Sequence, residues 1–301
     1  MNFRQLDYFL GVAECGSFTA AALALKVAQP TLTKSIRGLE QELGTRLFER
    51  LARGVVLTPS GVALRRHAER IGVQMRDAVA ELSVITGGTG GPVAIGAGPS
   101  WLRRLLPEAV ARAVTEHPSI QVSVTGGYDD VLLKALRAGE LDFVVAELPP
   151  REAARDLTLR PLTADRLCVF CRDGHPLAGQ KALGFCDLLA YPWVMPPRNT
   201  RPQQRLIALF VAADLPPPTI AVETESMAFL LKLLLSFDAL TLTVSSTDEL
   251  VEAAGTLALD VPELVAERTA GVIARQGGWL SPAAMVVIDS LAAACAGHAR
   301  N

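Results

Sequence analysis

The chain has 301 residues, of which half are hydrophobic and a fifth are charged. This composition excludes a disordered or fibrous protein and predicts a globular chain of about two domains. The formal net charge of −2 conceals an asymmetry, because residues 1–70 contain ten Lys/Arg and six Asp/Glu. That segment therefore has a net charge of +4 and the remainder a net charge of −6. This distribution is typical of a basic, polyanion-binding N-terminal domain followed by a mildly acidic domain.

The first residues and the hydrophobic runs indicate the compartment. The start, MNFRQLDYFL, places charges where a secretory signal would be apolar. The most hydrophobic run, residues 227–235, contains Lys232 and is too short to span a bilayer. We therefore expect a cytoplasmic protein that has no membrane partner.

The five cysteines are odd in number and widely scattered, so they predict no disulfide framework. Cys168 and Cys171 have CxxC spacing within a strand-like run, where residues three apart point to opposite faces. No second cysteine pair or nearby histidine cluster completes a metal site. We interpret the two as ordinary buried cysteines and predict neither metal nor cofactor. A redox sensor is the alternative, with Cys186 as its least strand-embedded candidate.

Three helices are predicted at the N-terminus. The first covers residues 3–14. Ser17 is a good N-cap for a short second helix, because its hydroxyl can accept from an unpaired backbone N–H. The third, opened by Gln29-Pro30 and closed by Gly44 as C-cap, is predicted to bury residues at steps of four, three and four. These residues are Leu32, Ile36, Leu39 and Leu43.

The other faces of this third helix are hydrogen-bonding and cationic, which suits base edges and phosphates. The stretch therefore predicts a helix-turn-helix whose second member, the reader helix, enters DNA. The expected DNA-contacting residues on it are Gln29, Pro30, Thr31, Thr33, Lys34 and Arg37. Two ordinary core helices with a solvated polar face are the alternative for this stretch alone.

A β-hairpin wing is predicted after the reader helix. Residues 46–49 and 55–57 form its strands, and residues 50–54 form the turn. Arg50 and Arg53 lie at its tip, where cations contact phosphate or reach into a minor groove.

The whole N-terminal pattern resembles the signature of LysR-type transcriptional regulators. The matching positions are Ala21-Ala22, Leu25, Gln29-Pro30, Leu32-Thr33, Ile36, Leu39-Glu40, Leu43-Gly44, Leu47-Phe48, Arg50, Leu57-Thr58 and Gly61. One departure is Lys34, where the family more often has Arg; a phosphate contact tolerates that exchange, but bidentate guanine recognition does not. The resemblance implies a winged helix-turn-helix domain over residues 1–58 that binds double-stranded DNA.

A long helix follows, with Thr58 as N-cap and Pro59 at its first position. Its apolar residues keep a heptad repeat, which predicts a coiled-coil seam. The seam consists of Leu64, Ala68, Ile71, Met75, Ala78, Leu82 and Ile85. We interpret residues 59–91 as a dimerising linker helix that ends in a flexible hinge at 87–92. A lone amphipathic helix packed on a core is the alternative.

From residue 92 onward, strands alternate with helices, which predicts parallel sheets covered on both faces. The predicted strands are 93–97, 120–124, 141–146, 167–171, 193–195, 221–224, 240–244 and 271–275, and the helices are 101–115, 130–138, 202–213, 227–236 and 282–296. The resemblance implies an α/β effector domain of two lobes shaped like a periplasmic binding protein. Lobe I would take 92–163 and 267–301, lobe II 164–266, and paired effector domains would complete a homotetramer.

Ligands in such sheets bind beyond the carboxyl ends of the strands. Four of these ends carry polar groups, at 98–100, 125–128, 198–201 and 224–226. Two are predicted helix N-termini, which favour anions. We therefore expect an anionic small molecule, a carboxylate, between the lobes. The predicted contacts are Ser100, Trp101, Tyr128, Asn199, Thr200, Arg201 and Ser226. The alternatives are that Ser100 and Ser226 are N-caps only, and that Arg198 and Arg201 are solvated.

The sequence bears on three classes of function. An effector-gated DNA-binding regulator accounts for both halves of the chain. An enzyme is disfavoured, because the sequence has no GxSxG, P-loop or helix-opening GxGxxG and its histidines are scattered. A solute-binding transport protein would suit the second half alone, but the absent signal peptide and the reader helix argue against it.

Overall fold

The computed structural model describes residues 1–51, 54–85, 90–103, 105–244, 255–264 and 267–298. The side chains of Arg50, Ser83, Ile85 and His298 lie outside that description. The chain divides into two compact units, Met1–Thr86 and Gly87–Asn301.

The N-terminal unit consists of four helices and a two-stranded wing. Its elements are α1 (Phe3–Cys15), α2 (Phe18–Ala24), α3 (Gln29–Leu43), β1 (Phe48–Arg50), β2 (Val55–Leu57) and α4 (Pro59–Ile85). The predicted caps are present: the Ser17 hydroxyl accepts from the backbone N–H of Ala20 at 3.4 Å, and the Thr58 hydroxyl accepts from that of Gly61 at 3.0 Å. Gly44 ends α3 in the left-handed conformation, with φ of 66°.

One apolar core holds the head of this unit together, with Phe9, Leu32 and Ile36 almost completely buried. Leu43 was predicted to join them, but it is 40% exposed because the last turn of α3 extends past the core. Glu40 fixes the wing to the reader helix, since its carboxylate accepts from the backbone N–H groups of residues 47 and 48.

The long helix α4 has two different halves. In the first half, Leu64, Ala68 and Ile71 pack on the core of the head. In the second half, Met75 is 43% exposed and Leu82 is 62% exposed. The heptad seam is thus covered near the wing and presented to solvent further along.

The C-terminal unit alternates strands and helices. Its elements are β3 (Gly91–Ala97), α5 (Leu105–Glu116), β4 (Ile120–Gly126), α6 (Asp129–Arg137), β5 (Phe143–Glu147), a 3-10 turn (Arg151–Ala153), β6 (Leu157–Arg172), α7 (Phe185–Leu188), β7 (Trp193–Met195), α8 (Arg201–Ala212), β8 (Ile220–Glu223), α9 (Met227–Leu234), β9 (Thr241–Val244), β10 (Thr256–Ala258), β11 (Glu267–Arg275) and α10 (Pro282–His298).

The sheet of this unit is mixed, so the prediction of purely parallel sheets was wrong. β3 pairs in parallel with β4 and β5, and β7 pairs in parallel with β8. β11 is antiparallel to both β5 and β6, and β9 and β10 are antiparallel to β6. The reason is that β6, sixteen residues long, and β11 run side by side in opposite directions from one lobe into the other.

Each lobe has its own apolar core. In lobe I, buried residues such as Ile95, Phe143 and Leu291 pack together. In lobe II, Trp193 packs edge-to-face on Phe210 with ring centroids 6.0 Å apart. The unit is therefore a two-lobed α/β domain joined by β6 and β11. None of the described helices combines the length and the apolar character needed to cross a membrane.

Candidate functional site

The reader helix α3 presents the predicted polar residues on an open surface. Gln29, Thr31, Lys34 and Arg37 are exposed and Thr33 is half-buried. A concave surface along the helix is lined by Gln29, Pro30, Thr33, Lys34, Arg37, Gly38 and Gln41. A second concavity joins Gln29, Thr33 and Arg37 to the wing at Leu51, Gly54 and Val55. The helix and the wing thus share one face.

The N-terminus of α3 suits a phosphate group. Its N-cap position is Ala28, in extended conformation, which offers no side-chain hydrogen bond. The N–H groups of the first turn therefore remain available to an anion. Within the described part of the chain, Lys34 and Arg37 make no ion pair, so their charges are also available. Arg53 lies outside the described residues, as does the side chain of Arg50.

The second candidate site is the junction of the two lobes. Ser100 lies in a turn after β3, where the backbone N–H groups of Trp101 and Leu102 both donate to the carbonyl of Gly98. The prediction that Ser100 caps a helix starting at Trp101 was wrong, because α5 begins at Leu105. Pro107 gives the reason, since proline fits the first turn of a helix but would break a helix that had started at 101.

The other predicted residue of this turn lies inward. Trp101 is only 3% exposed and belongs to the core of lobe I. Its indole Nε1 is buried without a hydrogen-bond partner among the described residues.

On the lobe II side, Thr200 is the N-cap residue of α8, and its hydroxyl donates to the Pro197 carbonyl at 2.7 Å. Ser226 caps α9 by accepting from the backbone N–H of Phe229 at 3.2 Å. Asn199 is exposed in the loop between β7 and α8. Arg198, 82% exposed, pairs with Glu223 at 3.2 Å on the surface.

Two arginines of α8 connect lobe II to lobe I. Arg201 pairs with Asp129 at 3.0 Å and also donates to the carbonyl of Leu148 at 3.2 Å. Arg205 donates from two guanidinium nitrogens to the two carboxylate oxygens of Glu147. Arg201 is therefore neither solvated nor unpaired, and its charge already has a counter-ion in the protein.

Arg268, on β11, continues this network at the junction of the lobes. Its guanidinium donates to the hydroxyl of Ser100 and to the carboxylate of Asp165, both at 3.0 Å, and lies 3.8 Å from Glu147. These ion-paired residues form what we call the interlobe ion cluster: Asp129, Glu147, Asp165, Arg201, Arg205 and Arg268.

Arg103 lies in the same turn as Ser100 and was not predicted as a site residue. All three of its guanidinium nitrogens are buried and lack a hydrogen-bond partner within the described ranges. Burial lowers the pKa of Arg103, with the nearby Tyr128 acting in the opposite direction and the charge of Arg268 lowering it further. The sequence held no signal for this role, because residue 103 fell inside a predicted helix.

Tyr128 interacts electrostatically with Arg103. Burial raises the pKa of Tyr128 to about 12, the charge of Glu225 adds to this rise, and Arg103 opposes it. The phenol is therefore neutral at ordinary pH and keeps a hydroxyl hydrogen to donate.

The cysteines offer neither a metal site nor a disulfide. Among the described residues, no group of three His, Cys, Asp or Glu side chains is placed to hold a metal ion. Cys15 and Cys186 are exposed, whereas Cys171 and Cys295 are buried. Burial raises the pKa of the Cys171 thiol to about 12, so little of it is thiolate at neutral pH.

A winged helix-turn-helix with an exposed reader helix, together with a two-lobed α/β domain, defines a ligand-responsive DNA-binding regulator. Two family models match this chain. The model of the bacterial regulatory helix-turn-helix protein, lysR family, matches residues 3–62, and the LysR substrate binding domain matches residues 86–296. The chain belongs to the LysR family of DNA-binding transcriptional regulators.

Similar proteins cover almost the whole chain. The SDS degradation transcriptional activation protein of a Pseudomonas species is 33% identical over 291 residues, which cover 94% of this chain and 93% of that protein. The transcriptional regulator PcaQ of Agrobacterium fabrum is 34% identical over 229 residues, which cover 76% and 74%. The crystal structure of full-length CbnR complexed with its target DNA has a TM-score of 0.63 at 25% identity, and covers 98% of this chain and 100% of that chain.

Proposed function

We propose that this regulator reads a specific DNA sequence with the N-terminal turns of α3, and that a small anionic effector bound between its lobes controls that binding. The DNA-binding part of this proposal rests on the continuous surface that the uncapped N-terminal end of α3 forms with the wing. CbnR, a similar protein, was solved in complex with its target DNA, which supports the same partner here.

The reader helix residues divide into two roles by their chemistry. Gln29 offers an amide that pairs bidentately with adenine, and Thr33 offers a hydroxyl to a base edge. Lys34 and Arg37 are suited to phosphates, which fix the register of the helix on the duplex. Pro30 and Thr31 shape the first turn, and Arg50 and Arg53 bring cations to the wing.

Substitution of Gln29 tests this division. Gln29→Ala should cost about 1–3 kcal/mol at the cognate site and much less on random DNA. Gln74→Ala is the matched control, because Gln74 is an exposed amide side chain on α4 that does not line the concave surface of the reader helix. Fluorescence anisotropy on a selected binding site and on a scrambled one measures both. An equal loss on the two DNAs would show that Gln29 only positions the protein.

We propose that the effector lies between the lobes, with contacts to Ser100, Trp101 and Tyr128 of lobe I and to Asn199, Thr200, Arg201 and Ser226 of lobe II. Its binding would favour one of two arrangements of the lobes. The effector can shift the equilibrium between them only by the difference in its binding free energy for the two. Such coupling is typically about 1–3 kcal/mol. Ser100→Ala and Thr200→Ala should weaken the response to effector and leave effector-free DNA binding intact; normal responses in both variants would remove these residues from the site.

We also propose that α4 pairs the chains and that paired effector domains complete a tetramer. The exposed Met75 and Leu82 on the second half of the heptad seam support this assembly. Because a transcriptional regulator must reach chromosomal DNA, we propose a cytoplasmic location. We further propose that it acts by binding alone and does not transform its effector.

A further inference from the structure

We propose that Arg103 binds the negative charge of the effector, and that the site selects small molecules carrying one negative charge, of the monocarboxylate class. This inference rests on the effector-gated function proposed above. It adds the charge-binding residue, which is none of the arginines expected from the sequence, and the valence of the ligand.

The first argument is that Arg103 is the exception among the arginines of this junction. Arg201 has Asp129, Arg205 has Glu147 and Arg268 has Asp165 as its carboxylate partner. Arg103 has no such partner in the described parts of the chain, although its three guanidinium nitrogens are shielded from solvent. A buried charge is destabilising unless it is paired and hydrogen-bonded. A bound anion would supply the counter-charge and the hydrogen-bond acceptors that the Arg103 guanidinium lacks.

The second argument is the chemistry around Arg103. A guanidinium presents a planar fork of donors that matches a carboxylate in a bidentate contact. The neutral hydroxyl of Tyr128, which interacts electrostatically with Arg103, supplies a further donor. The positive charge of Arg268 also acts on Arg103. An anion between these groups therefore meets donors and positive charge.

The third argument is the count of charges. The interlobe ion cluster contains three carboxylates and three guanidinium groups, which balance one another. Arg103 adds one positive charge to that balance. The Arg103 guanidinium can pair with one negative charge on the ligand. A second charge would find no unpaired cation among these groups and would be repelled by their carboxylates and by Glu225, whose charge acts on Tyr128. The count therefore favours a monoanion over a dianion.

A connection to the lobe arrangement follows from Arg268. This residue contacts Ser100 in the turn that holds Arg103, and it contacts Asp165 and Glu147 in the ion cluster. Glu147 in turn is held by Arg205 of lobe II. An anion on Arg103 relieves the repulsion between Arg103 and Arg268, and so changes the strength with which Arg268 holds its carboxylates.

Thermal unfolding of the full-length protein tests the proposal with Arg103→Met. Methionine keeps the length of the side chain and removes the charge, so the ligand-free variant should unfold roughly 2–4 °C above the wild type. Arg275→Met is the matched control, because Arg275 is also partly buried but donates to the carbonyls of Leu136 and Leu141. That control should unfold at a lower temperature than the wild type.

The ligand panel contains acetate, butyrate, octanoate, benzoate and phenylacetate, with the corresponding amides and the dicarboxylates succinate and glutarate as comparisons. At least one monocarboxylate should stabilise the wild type, while its amide and the dicarboxylates should not. Isothermal titration should show its affinity about 10- to 100-fold weaker for Arg103→Met and little changed for Arg275→Met.

Three results would overturn the proposal: a destabilised Arg103→Met protein, equal binding of the monocarboxylate to both proteins, or a wild type that responds to none of the monocarboxylates. A neutral molecule that binds the wild type and Arg103→Met equally and changes DNA affinity would overturn this inference alone, because effector gating would then persist without an anion. Loss of any ligand effect on DNA affinity would instead count against the proposed function.

Discussion

Glu147 is the carboxylate of the ion cluster that three arginines approach, and its substitution by glutamine has a predictable cost. The Glu147 side chain is 10% exposed and meets Arg205, Arg201 and Arg268, which are 28%, 25% and 11% exposed. Removing one partner of a fully buried pair costs about 3–5 kcal/mol. The cost should be smaller here, because Arg205 and Arg201 are still about a quarter exposed and because Arg201 and Arg268 each keep a second carboxylate partner. We therefore expect Glu147→Gln to lower the free energy of unfolding by about 2–3 kcal/mol.

Urea unfolding followed by tryptophan fluorescence measures this loss selectively. The three tryptophans, Trp101, Trp193 and Trp279, all lie in the C-terminal unit. Arg198→Ala is the control, since it removes an ion pair beside the same helix in which the arginine is 82% exposed, and it should cost no more than about 1 kcal/mol. A loss for Glu147→Gln no larger than that of Arg198→Ala would refute the reasoning.

Three further predictions concern assembly, pH and thiols. Met75→Asp places a charge in the exposed part of the α4 seam, so sedimentation velocity should show a smaller assembly than the wild type; an unchanged assembly would exclude the seam. Burial lowers the pKa of His175 in the folded protein. The stability of the C-terminal unit should therefore be constant above the ordinary histidine pKa of about 6.5 and decrease as the pH falls from there toward the lowered pKa of the folded state. His175→Asn should reduce this decrease in urea unfolding measured at several pH values. Iodoacetamide should label the exposed Cys186 rapidly and Cys171 only after unfolding, as mass spectrometry of the labelled peptides can show; rapid native labelling of Cys171 would contradict its burial.

The head of the molecule was largely predictable because its signals are local. Ser17, Gly44 and Thr58 act within one helical turn, so each helix end is visible in the sequence itself. The heptad seam on α4 is equally local. The exposure of Leu43 was not predictable, because it depends on where the core ends in three dimensions.

The effector domain was less predictable for two physical reasons. The long strand β6 carries Arg160, Asp165 and Arg166. These polar residues hid the first part of a strand that is buried mainly toward its C-terminal end, at residues 167–171. The ion cluster joins residues far apart in sequence, such as Glu147 and Arg205, which are separated by 58 positions. No pattern within one segment indicates which arginine is paired and which is left over, so Arg103 emerged only from the structure.

The most direct test of effector-gated DNA binding measures the affinity of the full-length protein for its selected DNA site by fluorescence anisotropy. The affinity is compared with and without the monocarboxylate that gives the largest increase in unfolding temperature. The account predicts that the monocarboxylate changes the affinity of the wild type roughly 5- to 150-fold and leaves the affinity of Arg103→Met unchanged. A wild-type affinity that stays constant while the monocarboxylate saturates the C-terminal unit would contradict it.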